Sequence, residues 1–393
     1  MKLGILGGGQ LGMMMCQEAK DLEISTFIFT DSEDSPATKF SDEHIIAQYD
    51  DFEKLERFIR ACNVVTYEFE NIPYKTLNHI LKKKPVYPDP QINNIIQDRL
   101  TEKKFINDLN IPTVPYLPIE ESNQLQFVEE NFFPAILKTR RLGYDGKGQT
   151  VIDSKSEKFQ IEKNDYILEK RIELKTEISV ITVRYQDNSL FSYKPIENIH
   201  KDQILYTSTS PASISIELQT KAIRWSQDII EALNYVGVIC IEFFIDRFDN
   251  LYVNEIAPRV HNSGHLTIES YNVSQFQSHL RAVCDLNPIA PELKVLFPFA
   301  SAVARVAIVF GTFWANGHTN ALAAQTLVDG TTKDTVELVV ASEATTSVTS
   351  TAIQHLAEIG DRSNGDIDID AINVQTKRVF LGAQDERKVC RGS

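Results

Sequence analysis

The sequence has few cysteines and no long uninterrupted apolar run, the features that mark disulfide-rich, zinc-binding and membrane proteins. Its five cysteines show no C-x-x-C spacing in 393 residues, so neither a disulfide framework nor a zinc site is indicated. The longest apolar stretch, Phe299 to Ala315, is interrupted by Arg305 and falls short of a membrane span. The apolar run at the start is too short for a signal peptide. We therefore expect a protein of the reducing cytoplasm with no membrane partner.

Positive charge is also scarce. The chain has 40 lysines and arginines against 54 aspartates and glutamates, for a formal net charge of -14. This composition lacks the basic footprint that binding to a phosphate backbone requires, so no nucleic-acid partner is expected. The length predicts two or three domains.

The runs ICIEFFI and LYVNEI are β-branched and aromatic, and they flank a polar turn at residues 246–250. This pattern predicts a β-hairpin. Each strand carries one carboxylate, Glu242 in the first and Glu255 in the second, and a buried carboxylate without a partner is costly. With the Asn254 amide they form an all-oxygen set that suits Mg²⁺. An outward-facing pair on a half-exposed sheet is the alternative.

The segment APRVHNSGH at residues 257–265 follows this hairpin directly. It is dense in groups that bind anions, notably Arg259, His261 and Asn262, and it starts at a strand end, where open α/β sheets place ligands. The segment therefore predicts a reaction centre, with an ordinary polar loop as the alternative.

The N-terminus resembles a dinucleotide-binding turn. A predicted strand at Lys2 to Leu6 is followed by Gly7, Gly9 and Gly12 in the pattern G-x-G-x-x-G, and a second strand ends at Asp31. Alone, this pattern indicates a nicotinamide-dependent oxidoreductase. The glycines require only an anion at a helix N-terminus, however, and a phosphorylated substrate would serve equally well.

Two acids, Glu68 and Glu70, follow a predicted buried strand at residues 64–67. Their place at a strand's carboxyl end predicts that one of them faces a ligand. Acids favoured by a helix dipole are the alternative.

A predicted strand at residues 133–139 carries Lys138 and leads into the loop RRLGYDGKGQ at residues 140–149. The glycines and the positive charge predict a loop that folds over phosphates. A strand returns at residues 150–152, so this is not a Walker A loop, which a helix would follow. A flexible turn with chance basic residues is the alternative.

Six motifs occur in one order over about residues 1–290: GGGQLG, DRLTEK, LKTRRLGYDGKGQ, an E-x-x-I segment at Glu169, IENIHKDQIL and NEIAPRVHNSGH. Together they resemble the N5-carboxyaminoimidazole ribonucleotide synthetase family of ATP-grasp enzymes. The resemblance implies an α/β fold with α+β elements. Its expected domains are a Rossmann-like, biotin-carboxylase-type domain at residues 1–100, a small central lid domain at 101–176 and a C-terminal antiparallel-sheet domain at 177–393.

The resemblance also implies roles for individual residues. ATP would be bound by Arg99, Lys138, Gly143, Tyr144, Asp145, Gly146, Lys147, Gly148, Gln149, Glu169, Lys170, Arg171, Ile172, Glu177, His200, Asn254 and Glu255. Bicarbonate and the reacting amine would be surrounded by Tyr144, Asp145, Lys147, Arg259, His261 and Asn262. The ribonucleotide would be contacted by Gly8, Gly9, Gln10 and Glu68. Glu242 and Glu255 would hold Mg²⁺, or Mn²⁺ in its place.

The implied activity is that of a ligase of purine biosynthesis. ATP would phosphorylate bicarbonate to carboxyphosphate, which would carboxylate 5-aminoimidazole ribonucleotide and leave ADP and phosphate. The implied assembly is a homodimer. Another ATP-grasp ligase acting on a different amine, the nicotinamide-dependent oxidoreductase and a nucleotide-binding protein without turnover are the alternative hypotheses.

Residues 301–393 depart from the family's pattern. They contain 13 alanines against 12 in the first 300 residues, 3 lysines and none of the chain's 13 tyrosines. The family's basic segments of the form Y-G-K and R-K-M-G-H are missing there. A diverged tail, a frameshifted or chimeric sequence and a stretch of uncertain residue identities are the competing interpretations. Strand-like runs such as residues 336–340 still indicate a β-rich C-terminal part.

Overall fold

The computed structural model describes residues 1–141, 148–156, 165–201 and 203–294, together with the backbone of two strands at 303–308 and 325–329. They fall into two units. The first unit comprises Met1–Tyr193, Ile214–His261 and Gln275–Ala290, and the second comprises Lys194–Ser213, Asn262–Ser274 and Pro291–Ser393. Loop residues 142–147 and the predicted strand at 336–340 lie outside the described residues.

The first unit begins with a parallel four-stranded sheet, in which the strands Glu43–Ile46, Ser25–Thr30, Lys2–Leu6 and Val64–Tyr67 lie side by side in that order. Buried Val, Ile and Phe side chains fill its strands, and helices provide the crossovers that parallel strands require. Asp51 caps the second helix by accepting a hydrogen bond from the Lys54 amide. The elements are β1 (Lys2–Leu6), α1 (Gln10–Asp21), β2 (Ser25–Thr30), a 3₁₀ turn (Pro36–Lys39), β3 (Glu43–Ile46), α2 (Phe52–Ala61), β4 (Val64–Tyr67), α3 (Tyr74–Leu81) and α4 (Gln91–Ile96).

The predicted strands at 2–6, 25–29 and 64–67 are confirmed. The sequence also predicts helices at 13–19, 51–61 and 74–84, and the structure has a helix at each place. It further predicts a short strand at 85–88, and that prediction is wrong. Only Val86 pairs there, in an isolated bridge to Val65, because Pro85 and Pro88 have no amide hydrogen to donate to a sheet. Helix α4 was not predicted, since QINNII carries no cap residue and no clear helical period.

A ten-residue helix then leads to an antiparallel sheet of four strands. Its strands lie in the order β5 (Tyr116–Ile119), β8 (Tyr166–Lys170), β6 (Ala135–Thr139) and β7 (Gln149–Ile152). The helix starts at Asp98, whose carboxylate accepts hydrogen bonds from the Leu100 and Thr101 amides. Strands β6 and β7 pair as an antiparallel hairpin, as the sequence predicted. The elements are α5 (Arg99–Asp108), β5 (Tyr116–Ile119), 3₁₀ turns (Ser122–Phe127 and Glu130–Phe132), β6 (Ala135–Thr139), β7 (Gln149–Ile152) and β8 (Tyr166–Lys170).

The rest of the described chain supplies several longer strands and three further helices. The remaining elements are β9 (Leu174–Arg184), β10 (Leu190–Ser192), β11 (Ile196–Lys201), β12 (Ile204–Ser210), α6 (Ile216–Ala232), β13 (Gly237–Asp246), β14 (Leu251–Ala257), a 3₁₀ turn (Asn262–Leu266), α7 (Thr267–Ser270), α8 (Gln275–Val283), β15 (Val303–Ile308) and β16 (Gln325–Asp329). Within the described parts of the chain, no helix combines the length and the apolar character that crossing a bilayer requires.

In the first unit, β13 pairs antiparallel with both β14 and β9, and β10 extends β9 on its far side. Strand β13 is buried along most of its length, which explains its nearly continuous apolar sequence. In the second unit, β12 pairs with β11 and β15, and β15 pairs with β16. Two described strands after residue 300 therefore agree with the expectation of β structure in that part.

In the first unit, His279 on α8 forms hydrogen bonds with both β13 and β4. Its Nδ1 accepts a hydrogen bond from the Val238 amide at 3.1 Å, so its Nε2 carries the proton and donates to Thr66 Oγ1 at 2.8 Å. The side chain is 1% exposed. Burial lowers the pKa of His279 to about 4. The imidazole is therefore neutral in the folded protein near neutral pH.

We expect this neutral imidazole to make stability fall with acid. Between the unfolded pKa of 6.5 and the folded pKa of about 4, the unfolded chain binds the proton and the folded chain does not. The free energy of unfolding should fall by about 3 kcal/mol as the pH falls through this window. His279→Gln should flatten this dependence in denaturant unfolding, whereas His44→Gln, at an exposed site, should leave it unchanged. An equal slope in His279→Gln and the wild type would contradict the assignment.

Candidate functional site

The predicted hairpin is confirmed, and it sets Glu242 directly opposite Glu255 on β13 and β14. Like charges facing each other across a sheet are destabilising. A register shift between Glu242 and Phe243 leaves Asn254 as the extra residue of β14, which makes a β-bulge. Bulges occur beside active sites because they redirect side chains. The hairpin therefore concentrates negative charge where a cation would be stabilising.

Each of the two carboxylates lies beside a cationic side chain. Glu242 Oε1 lies 2.9 Å from His261 Nε2, and Glu255 Oε2 lies 3.2 Å from Arg99 Nη1. Burial opposes a charge on His261, but the neighbouring Cys240 and Glu242 raise its pKa to about 10. The sequence-predicted residues Arg99, Glu242, Glu255 and His261 thus lie together.

The donor set fits Mg²⁺. Among the described residues there is no cluster of three or more His, Cys, Asp or Glu side chains suited to a metal. Mg²⁺ needs no such cluster, because it is commonly held by one or two carboxylates while phosphates and water complete its octahedron. Glu242 and Glu255, which are 18% and 40% exposed, supply that number of oxygen ligands on adjacent strands.

A buried ionic cluster lies around Glu169 on β8. Its Oε2 accepts from Lys138 Nζ at 2.7 Å, and its Oε1 lies 3.2 Å from Lys103 Nζ. Burial alone would raise the pKa of Glu169, but Lys138 and Lys103 lower it to about 2. Two lysine side chains thus share one carboxylate. Burial lowers the pKa of Lys103, and the neighbouring Glu169 opposes that effect. A lysine ammonium such as that of Lys138 suits an anion such as a polyphosphate.

The Glu169 side chain therefore forms ion pairs with Lys138 and Lys103. Lys170, Arg171 and Ile172 extend from the end of β8, with the Lys170 amide bonded to the Pro115 carbonyl and the Arg171 amide to the Pro134 carbonyl. Sequence reasoning found Lys138 and Glu169. It missed Lys103, which reads as one of many helix lysines.

The start of the glycine-rich loop is clamped by Asp98. Arg140 donates two parallel hydrogen bonds to this carboxylate, at 3.1 and 2.7 Å, and Arg141 Nε lies 3.2 Å from it. Burial opposes the charge on Asp98, but Arg140 lowers its pKa. The sequence did not indicate this role of Asp98, because an aspartate at a helix N-cap needs no further partner to account for it.

At the other end of that loop, Gly148 has φ of +73° and its carbonyl accepts from the Thr139 amide at 2.9 Å. A side chain there would strain the backbone and would approach Thr139 Oγ1 to 2.6 Å. Gln149 begins β7. The other predicted loop residues, Gly143, Tyr144, Asp145, Gly146 and Lys147, lie outside the described residues.

The N-terminal glycines surround a carboxylate of the protein itself. Glu68, only 6% exposed, accepts hydrogen bonds from the amides of Gly9 and Gly12, the second at 2.8 Å. Burial raises the pKa of Glu68, and these two amides oppose that rise. The anion that the N-terminus of α1 attracts is thus supplied internally. The glycine pattern is explained without a dinucleotide, while Gly8 and Gln10 lie beside the same turn.

We expect Gly7→Ala and Gly12→Ala to have opposite effects. Gly7 has φ of +99°, and a Cβ there would lie 2.4 Å from Glu68 Cγ, so the variant should lose about 1–3 kcal/mol of stability. A Cβ at Gly12 would meet only ordinary contacts, at 3.4 Å and beyond, and alanine favours the helix. Gly12→Ala should therefore match or exceed the wild-type melting temperature. Equal melting temperatures in both variants would contradict this packing.

Glu70 forms an ion pair with Arg259, one of the predicted anion-binding residues. Arg259 Nε donates to Glu70 Oε2 at 2.6 Å. Burial opposes the charge on Glu70, but Arg259 lowers its pKa below the ordinary value. The position of Glu70 after a strand end was the only signal in the sequence. The structure separates the two acids of that segment, with Glu68 at the glycines and Glu70 at Arg259.

Three further predicted residues are divided between the two units. Glu177, which is half-buried, lies on β9 of the first unit. His200 and Asn262 belong to the second unit: His200 is exposed on β11, and Asn262 begins the 3₁₀ turn, where its carbonyl lies 2.5 Å from His265 Nδ1. The first unit therefore contains every described candidate except His200 and Asn262.

The chain matches two protein families. Residues 1–97 match the ribonucleotide synthetase preATP-grasp domain, and residues 104–276 match the ATP-grasp domain. These matches confirm the predicted ATP-grasp fold with its preceding domain, while the exact domain boundaries stay a prediction.

Several curated relatives carry the same name. The N5-carboxyaminoimidazole ribonucleotide synthase of Brucella melitensis is 40% identical over 298 residues, which is 72% of this chain and 80% of the relative. The Bacillus subtilis enzyme of that name is 40% identical over 290 residues, which is 72% of this chain and 76% of the relative.

Solved structures agree. The Staphylococcus aureus N5-carboxyaminoimidazole synthetase in complex with ADP is 34% identical, with a TM-score of 0.71 over 82% of each chain. The Aspergillus clavatus synthase in complex with ADP and 5-aminoimidazole ribonucleotide is 26% identical, with a TM-score of 0.72 over 92% of this chain and 98% of that one. The chain belongs to the N5-carboxyaminoimidazole ribonucleotide synthase family of ATP-grasp ligases.

Proposed function

We propose that this ligase uses ATP and bicarbonate to carboxylate the amine of 5-aminoimidazole ribonucleotide, giving N5-carboxyaminoimidazole ribonucleotide, ADP and phosphate. One observation carries the assignment to the site: Glu242 and Glu255 face each other beside Arg99 and His261, with the cationic Lys138 cluster in the same unit. The names of the relatives and the ribonucleotide complex of the Aspergillus clavatus enzyme support the substrate.

Bicarbonate reacts poorly with amines, so its carboxyl group must first be activated. A bicarbonate oxygen attacks the γ-phosphorus, ADP leaves and carboxyphosphate forms. Its breakdown releases phosphate and CO₂, and the amine attacks the CO₂ carbon and loses a proton. Catalysis of this kind depends on positioning and on neutralising phosphate charge. Arg99 and Lys138, both in ion pairs beside carboxylates, would bind the phosphate oxygens.

Glu242 and Glu255 would hold Mg²⁺, or Mn²⁺ in its place, together with the nucleotide phosphates, and Asn254 would assist on the same strand. Bound there, the cation would neutralise charge on the phosphate oxygens. His261 pairs with the Glu242 carboxylate. It would therefore lie between the cation position and the proposed bicarbonate position. Arg259, fixed by Glu70, presents a planar fork that suits a carboxylate-like anion.

The remaining assignments follow the family resemblance. Glu169 to Ile172, Glu177 and His200 would bind the nucleoside of ATP, and the Gly143 to Gln149 loop would cover its phosphates. Asn262 and loop residues Tyr144, Asp145 and Lys147 would join Arg259 and His261 at the reacting groups. The ribonucleotide would lie near Gly8, Gly9, Gln10 and Glu68. We propose that the enzyme is cytoplasmic and forms a homodimer. Sedimentation velocity would test the dimer.

The decisive experiment is phosphate release from ATP and Mg²⁺, with bicarbonate and 5-aminoimidazole ribonucleotide each added or omitted. We expect fast release only when the ribonucleotide is present. If ATP binds but the ribonucleotide gives no stimulation, the proposed amine substrate is wrong. A panel of other amines would then identify the substrate of another ATP-grasp ligase reaction.

A further inference from the structure

One face of helix α5 contacts strand β14 at three points. Arg99, Glu102 and Lys103 are spaced i, i+3 and i+4, so they share this face. Arg99 pairs with Glu255, as described above. The other two bind the backbone of the strand on either side of Glu255, and neither belongs to the predicted set of ligand-binding residues.

Glu102 holds the backbone just after Glu255. Its Oε1 accepts a hydrogen bond from the Ile256 amide at 2.7 Å. The side chain is 2% exposed, inside the protein. A buried acid at this position satisfies an amide at the outer edge of β14, where no further strand of this hairpin is available as a partner.

Lys103 holds the backbone just before Glu255. Its Nζ lies 3.4 Å from the Asn254 carbonyl, and it also pairs with Glu169. Asn254 is the extra residue of the β-bulge, whose backbone groups lose their regular ladder partners. Lys103, 1% exposed, therefore supplies a donor at the point where the strand is irregular.

We propose that Glu102 and Lys103 are positioning residues that fix the bulge at Asn254 and so aim the Glu255 carboxylate at the nucleotide-bound cation. This inference rests on the proposed role of Glu255 in binding Mg²⁺. An apolar residue at position 102 or 103 would fill the same space without holding either backbone group. Partners of this kind that orient a metal ligand typically contribute 10- to 100-fold in metal affinity.

The test compares Glu102→Leu, Glu102→Gln and Lys103→Met with the wild type, and Lys104→Met, at an exposed site on the same helix, is the matched control. Calorimetry gives the affinity for ADP with Mg²⁺ and for ADP in EDTA. We expect Glu102→Leu and Lys103→Met to weaken Mg²⁺-ADP binding by about 10-fold or more. In Glu102→Leu, metal-free ADP binding should change by less than about 2-fold, as a positioning role predicts. Lys103→Met also removes a partner of Glu169, so its loss of affinity should be larger with Mg²⁺ than in EDTA.

Glu102→Gln keeps the acceptor oxygen and should retain Mg²⁺-ADP affinity, which a role in charge balance alone would not allow. Equal losses with and without metal, or no loss in either variant, would overturn the inference. If Glu102→Leu does not fold, Lys103→Met decides the question alone. Glu255→Gln distinguishes the cation assignment of Glu255 from the positioning role of Glu102 and Lys103. Wild-type Mg²⁺-ADP affinity in Glu255→Gln would refute the cation assignment itself. A loss in Glu255→Gln without one in Glu102→Leu or Lys103→Met refutes only the positioning role.

Discussion

Glu255→Gln is expected to lower Mg²⁺-dependent phosphate release by about 100-fold or more while the protein stays folded. The change removes one of the two opposed charges that would hold the cation, and it keeps the size and the shape of the side chain. Because Glu255 is 40% exposed and faces Glu242, losing its charge should not destabilise the fold. Steady-state turnover against Mg²⁺ concentration, with circular dichroism as the fold check, measures both effects.

The matched control is Asp249→Asn. It makes the same chemical change in the turn of the same hairpin, where the exposed Asp249 pairs with the exposed Lys175. Asn tolerates the positive φ of 63° at that position. We expect near-normal turnover in the control. Near-normal turnover in Glu255→Gln as well would remove this residue from the metal site.

Glu169→Gln should have the largest effect on stability. It would leave Lys103 and Lys138, both buried, without their shared carboxylate. Breaking a buried pair by removing one partner typically costs about 3–5 kcal/mol. At about 2–4 °C per kcal/mol, the melting temperature should fall by roughly 10 °C. Glu173→Gln, which affects an exposed pair with Arg247, is the control and should change stability by less than about 1 kcal/mol.

Acid offers a second readout of the same cluster. The folded pKa of Glu169 is lowered from 4.5 to about 2. Its contribution is therefore fully present above about pH 4.5 and is lost as the pH falls toward 2. Urea unfolding across this range should show a steeper loss in the wild type than in Glu169→Gln. Parallel curves would mean that the carboxylate does not stabilise the lysines.

The site could be predicted from the sequence where its chemistry is local. Glu242 and Glu255 interrupt two apolar strands, so a short window of sequence reveals both the hairpin and the charges in it. Lys138 could likewise be predicted, because it follows an apolar run near the end of a strand that leads into a glycine-rich loop. The same local reasoning failed at residues 85–88, where prolines prevent the sheet pairing that the apolar residues favour.

What the sequence could not reveal depends on contacts between distant segments. Lys103 and Glu102 follow an ordinary helical pattern, and only the fold brings them to β14 and to Glu169. The pairing of Glu70 with Arg259 joins a segment near the N-terminus to the end of the hairpin. No periodicity or spacing within either segment indicates such a partner. Recognition of these residues therefore required the structure.

The carboxylate at the N-terminus of α1 has a consequence for how such sequences are classified. A glycine-rich turn after a first strand is commonly taken as a sign of redox chemistry, and this chain satisfies that pattern in full. The residue that separates the two meanings lies far along the sequence, at Glu68, where β4 ends. An acidic residue at that strand end identifies a turn that is already neutralised from within. In this chain, the glycine pattern alone therefore does not indicate a bound dinucleotide.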